Sequence, residues 1–135
     1  MSTRTIYLRP NDWVYDTVVR RPVQICRAEY GTNDCIVRSE TRMMDMYDIR
    51  LIPITEEFLD HNGFEEYTYD APYRTVWSIS EPDVLVDMQR TEEGYWTCKI
   101  SKGTTTSFVP VQCVHELQHL LYDCDTSLSV TMVGM

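Results

Sequence analysis

With 135 residues, 43% hydrophobic and 24% charged, the chain has ordinary globular composition, which excludes extended disorder and leaves room for one domain with a real core. Its formal net charge of −9, with the acids spread along the chain, excludes wrapping a nucleic-acid polymer, which needs a basic face. No apolar run approaches the roughly 18 residues that span a bilayer, and the opening MSTRTIYLRPND lacks the apolar stretch of an export signal, so a soluble cytoplasmic protein with no membrane partner is expected.

Five cysteines (Cys26, Cys35, Cys98, Cys113 and Cys124) form no C-x-x-C pair and read as reduced, mostly buried small hydrophobes. Of the twelve basic residues ten are arginine, and only Lys99 and Lys102 are lysine. The planar guanidinium fork suits bidentate capture of carboxylates and phosphates, and pairing with the chain's own acids uses it equally well.

The first fifty residues read as short strands rich in β-branched and aromatic residues: TIYLR, DWVYDTVV, PVQICRAEY and DCIVRSE, punctuated by RPND, RRP and GTND. They predict an N-terminal partial β-barrel-like sheet within a β-rich part, 1–54. ITEEFLDHNGF predicts a helix over about 55–62, with Thr55 as N-cap, Glu56 and Glu57 in the first turn and Gly63 as the left-handed stop. EYTYD, YRTVWSIS, DVLVDMQR, GYWTCKIS and TSFVPV then return to strands, with TEEG and SKGTT as hairpin turns. A second helix over about 111–124 and a C-terminal strand, TSLSVTMV, complete the α+β part, 55–135. The expected fold is a single α+β domain, 1–135, strand-rich and antiparallel.

The sharpest chemical signal is His-Glu-x-x-His in CVHELQHLLYDCD. His115 and His119 share one helical face and can share zinc, with Glu116 placed to activate water. The longer metalloprotease pattern puts its third ligand six residues after the second histidine, here Asp125. It also needs a glycine where this chain has Tyr122, and tyrosine does not supply the freedom to swing the third ligand back. At about 100° per residue, Val114, Leu117, Leu121 and Cys124 form an apolar stripe flanked by Leu120, and His115, His119 and Tyr122 fall on a more polar face. That pattern describes a helix packed on a sheet with its histidines at the rim.

IPITEEFLDHNGF and VPVQCVHELQHLLYDCD…SLSVTM, with the looser LRPNDWVYD, resemble landmarks of a family of small uncharacterised phage, prophage and mobile-element proteins of gut Bacteroidales. That family pairs a PIPLTEEIL…NGF helix with a YVHELQ helix; the strands from 65 to 109 match it by pattern alone. The resemblance implies a phage or mobile-element origin and a host-cytoplasmic setting. It implies that the positions of Glu116 and His119 are exchangeable, which an obligatory zinc site would not allow, and it supplies no ligand or catalytic residues.

Three functions follow. The favoured one is a non-enzymatic phage-derived binding protein acting in the host cytoplasm, countering host defence by sequestering a nucleotide-type signal or masking a partner protein. Its ligand is then a small phosphate-bearing molecule or a host protein, with no cofactor, and the anchors are aromatic and arginine residues near strand ends: Trp13, Tyr15, Arg20, Arg21, Tyr73 and Arg74. The enzymatic alternative is a zinc metallopeptidase with His115, His119 and Asp125 as ligands and Glu116 as catalytic base. The third is a structural, homo-oligomeric interaction protein, for which Met43, Met44 and Met46 would form an adaptable surface or, equally, an irregular core patch. Nothing suggests nucleophilic catalysis, and the five glycines never cluster into a phosphate-cradling loop.

Overall fold

The computed structural model describes residues 8–30, 35–39, 42–45, 47–70 and 73–135, so the expected TIYLR strand falls largely outside the described residues. The chain divides into two compact units, Met1–Ile52 and Pro53–Met135. Each builds its own antiparallel sheet, and the second carries both helices. This is the strand-rich α+β architecture that the alternation of short strand and helix patterns predicts.

In the first unit the strands are β1 (Trp13–Asp16), β2 (Arg21–Tyr30), β3 (Cys35–Ser39), β4 (Met43–Asp45) and β5 (Ile49–Arg50). Among the described residues they lie in the order β4-β3-β2-β1-β5, a sheet that does not close into a full barrel, consistent with the expected partial one. The β2–β3 register shifts between Ile25 and Arg27, an irregularity of the kind that bends a strand and increases its twist. Leu8, Val14, Val23, Ile25, Met44 and Ile49 form the core, with Ala28 and Leu51 packed against it. Of the methionines in RMMDMYD, Met44 is therefore core and Met43 is exposed, while Met46 lies outside the described residues.

The β1–β2 turn depends on a buried charge. Asp16 is 0% exposed; its Oδ1 accepts from the amides of Val18 at 2.9 Å and Val19 at 3.3 Å. Its Oδ2 lies 3.3 Å from Nε of Arg42, whose Nη2 reaches Asp48 at 2.6 Å. One guanidinium so neutralises two carboxylates, and Asp48 in turn accepts at its carbonyl from the amide and hydroxyl of Thr17. Arg20 leaves the turn at φ 59°, a left-handed conformation unfavourable for a residue with a Cβ. The turn is held by Asp16 rather than by local preference.

In the second unit α1 (Glu56–His61) starts where the sequence pattern places it: the Thr55 side chain accepts from the Phe58 amide and Glu56 and Glu57 occupy the first turn. Gly63 at φ 87° ends it, a conformation glycine adopts without steric cost. The strands β6 (Glu65–Asp70), β7 (Tyr73–Glu81), β8 (Val84–Arg90), β9 (Trp96–Lys102) and β10 (Thr105–Pro110) form a meander in sequence order. Alternate residues Val84, Val86, Met88, Trp96, Cys98 and Ile100 are buried, as are Phe58 and Leu59 of α1 and Val114, Leu117 and Leu121 of α2 (Val114–Asp123). Helices and sheet thus share one apolar layer.

Two boundaries differ from expectation. The second helix starts at 114, not 111, because residues 111–113 are extended: Val111 donates to the Trp96 carbonyl, and Cys113 bridges to Pro53. The indole of Trp96 completes this junction by donating to the Ile54 carbonyl at 3.0 Å. The closing TSLSVTMV is not a strand. It runs irregularly and joins no sheet, because its partner is a side chain: Asn62 Oδ1 accepts from the Thr131 amide at 2.7 Å and Nδ2 donates to the Thr131 carbonyl at 3.1 Å. His61 Nε2 meets the Val133 carbonyl at 2.8 Å. A single amide can mimic one rung of a ladder and no more.

Replacing Asp16 by Ala should destabilise the protein by about 2 kcal/mol, the scale of leaving part-buried turn amides, here those of Val18 and Val19, without their acceptor. Chemical denaturation monitored by circular dichroism measures it; a loss below about 0.5 kcal/mol, the scale of an ordinary surface substitution, would show that the turn does not depend on this carboxylate.

Candidate binding groove

β6 carries Glu65, Tyr67 and Tyr69 at every second position, and the two-residue period of a strand sends all three to one face, away from the buried layer. Antiparallel register sets their neighbours. One row across the sheet reads Glu65, Ser78, Asp87, Lys99, Phe108, and the next reads Tyr67, Val76, Gln89, Thr97, Pro110, with Tyr69 opposite Arg74 beyond. Tyr67, Tyr69 and Phe108 are 46%, 47% and 70% exposed, whereas Val76 is buried and forms a floor.

Two hollows open on this face. The smaller, about 130 Å³, is lined by Tyr69, Arg74, Val76, Asp87, Gln89, Thr97, Lys99 and Phe108. The larger, about 370 Å³, is lined by Gly63, Glu65, Tyr67, Tyr69, Ser78, Ile79, Ser80, Leu85 and Asp87. Tyr69 and Asp87 belong to both, so the hollows are compartments of one groove.

The two cations of the smaller hollow rest on aromatic rings. The Arg74 guanidinium lies 4.9 Å from the Tyr69 ring centroid, and the Lys99 ammonium 6.0 Å from that of Phe108. Neither forms an ion pair among the described residues. Asp87, the cross-strand neighbour of Lys99, instead accepts from Ser78 Oγ at 2.5 Å. Glu65 Oε2 accepts from the Tyr67 hydroxyl at 2.7 Å. That hydrogen bond, reinforced by the carboxylate's charge, raises the Tyr67 pKa above that of an ordinary phenol.

Of the residues singled out from sequence whose side chains are described, Arg74 alone lines the groove. Tyr73 pairs with Asp70 through the β6–β7 ladder, and its side chain is outside the described residues. Trp13, Tyr15, Arg20 and Arg21 belong to the other unit: Trp13 is buried, Tyr15 half-buried, and the two arginines are exposed where the β1–β2 turn meets β2. Sequence reasoning missed Tyr67, Tyr69, Lys99 and Phe108. The outward alternation of EEYTYD was a readable signal for the tyrosines; the register that brings Lys99 and Phe108 to them was not.

The His-Glu-x-x-His helix carries a different arrangement. The His115 and His119 ring centroids are 5.4 Å apart and nearly perpendicular, at 83°. His115 is buried at 6% exposure, against the expectation of a rim position, because it sits in the first turn beside fully enclosed Val114, just past buried Val111. Glu116 Oε1 accepts from the amides of Gln112 and Cys113, a capping role at the start of the helix. The Asp125 side chain is fully exposed and lies 3.8 Å from Lys102 Nζ. Among the described residues, no group of three or more His, Cys, Asp or Glu side chains is placed to hold a metal. Nor is any described helix long and apolar enough to cross a membrane.

Comparison with protein-family models, curated proteins and solved structures gives no match.

On the dry side of β9, burial pushes the Cys98 thiol up to about 12, with Cys124 and Asp87 adding to the rise. A raised thiol pKa keeps the reactive thiolate scarce until the pH approaches that value. At pH 8.5, iodoacetamide should therefore label exposed Cys26 and spare Cys98 in the folded protein, and label both in denaturant. Peptide mass spectrometry reads the difference; equal labelling in the folded state would contradict the burial.

Proposed function

We propose that the protein is a non-enzymatic binding protein of phage or mobile-element origin. It acts in the host cytoplasm and sequesters a small phosphate-bearing ligand, a nucleotide-type signal of host defence, in the groove of the second unit. The observation that carries this reading is the state of Arg74 and Lys99. Whereas Arg42 and Lys102 lie beside carboxylates, Arg74 and Lys99 form no ion pair among the described residues. These two flank one hollow and rest on Tyr69 and Phe108 instead. Their hydrogen-bond donors remain available to an anion, and the guanidinium fork matches phosphate oxygens. The exposed rings offer a planar base a stacking surface.

Polymeric nucleic acid is a poor fit to the same face, because Glu65 and Asp87 interrupt any continuous basic track. The origin and setting rest on the resemblance of the two helix motifs and the opening segment. In this reading the hydroxyl–carboxylate pairs of the groove, Ser78 with Asp87 and Tyr67 with Glu65, serve as ligand contacts, and the helix carboxylate of Glu116 caps its own helix.

Thermal-shift and calorimetric titration of the purified protein against pyrophosphate, ADP, ADP-ribose and cyclic nucleotides tests the reading. At least one should bind, and Arg74→Ala and Lys99→Ala should each weaken it about tenfold, the worth of one charge-assisted contact. Absence of binding by every phosphate compound, or full affinity in both variants, would refute it.

A further inference from the structure

We infer that the larger compartment is a sugar subsite, so that the ligand is a ribose-bearing phosphate compound rather than a bare phosphate. This rests on the reading just given and specifies the other half of the same ligand.

The two compartments have opposite polarity. The smaller holds the cations; the larger has no cation in its lining and combines the carboxylates of Glu65 and Asp87 with the hydroxyls of Tyr67, Ser78 and Ser80. A phosphate would be repelled there. Each carboxylate also spends only one oxygen on the protein, Glu65 Oε2 on Tyr67 and Asp87 Oδ1 on Ser78. The second oxygen of each takes no hydrogen bond among the described residues.

The chemistry that fits is a vicinal diol. Carboxylates accept hydrogen bonds from sugar hydroxyls, the role acidic residues play towards ribose in dinucleotide sites. A sugar hydroxyl both donates and accepts, so the Ser80 hydroxyl has a use as well; an ammonium group, which only donates, would leave that donor idle. At 370 Å³ the compartment admits a pentose ring, and 130 Å³ alone is too small for a whole nucleotide. Because Tyr69 and Asp87 line both hollows, one molecule can occupy them together. Arg74 and Ser80 sit six residues apart on β7, so the groove extends about 20 Å at the usual rise per strand residue, the reach of a nucleotide with a second phosphate or sugar.

The test compares ribose 5-phosphate, tetrahydrofurfuryl phosphate (a comparable ring and phosphate without the ring hydroxyls) and pyrophosphate, by NMR shift titration of the full chain. Ribose 5-phosphate should bind about tenfold more tightly than the hydroxyl-free compound. Glu65→Gln and Asp87→Asn should each shrink that ratio towards one; pyrophosphate binding should not weaken in Glu65→Gln, which lies outside the smaller hollow, and should strengthen in Asp87→Asn, which removes a negative charge from it. Glu65 is exposed, so its variant keeps the fold even if loss of the Ser78 contact perturbs the other. Equal affinity for the two ring compounds, or a ratio that neither variant changes, overturns the sugar subsite while the phosphate reading stands. Failure of all three probes to bind overturns both, and tighter binding of spermidine than of ribose 5-phosphate reassigns the compartment to cations and overturns the subsite.

Discussion

The organisation of the second unit follows from side-chain alternation in a sheet covered on one side. Successive residues of a strand point to opposite faces. Once Val86, Met88, Trp96, Cys98 and Ile100 are committed to the layer shared with α1 and α2, their neighbours Asp87, Gln89, Thr97 and Lys99 have no choice but the open face. The groove is the complement of the core. A register slip of one residue would destroy both at once, which ties the groove to the same energy that stabilises the fold.

Charge on that open face is arranged against the chain's overall balance. With net charge −9, the simplest arrangement would pair every cation with an acid. In the first unit Arg42 follows this arrangement, bridging Asp16 and Asp48 beside the turn in which Arg20 is left-handed. In the second unit Arg74 and Lys99 lie over rings, and the nearby acids are turned to hydroxyls of Tyr67 and Ser78. One guanidinium serves two carboxylates in the first unit; in the second, Arg74 and Lys99 form no ion pair among the described residues, and Glu65 and Asp87 each spend one oxygen on a hydroxyl.

The His-Glu-x-x-His segment illustrates how a motif and a helix boundary can use the same letters. Glu116 stands at the third position of the helix, where an acidic side chain reaches back to the amides before it, here those of Gln112 and Cys113. His115 is drawn into the apolar layer beside Val114. These placements answer the needs of a helix that follows an extended segment anchored to Trp96 and Pro53.

Local chemistry was enough to read both helices and the strands of the second unit, though not β4 and β5 of the first. Thr55, the paired glutamates and Gly63 specify α1 because capping, dipole and left-handed exit are properties of a few adjacent residues, and the period of two in VLVDMQR and WTCKIS marks strands with one wet face. The extended 111–113 and the strandless C-terminus were not legible, since each depends on a distant partner, Trp96 in one case and Asn62 in the other. The groove was less legible still. Arg74 could be picked out as an arginine near a strand end, but its association with Tyr69, Lys99 and Phe108 is a matter of which strands neighbour one another and in what register. Sequence determined which residues face water; only tertiary structure decided which of them face each other, because strand pairing joins residues that no local interaction connects.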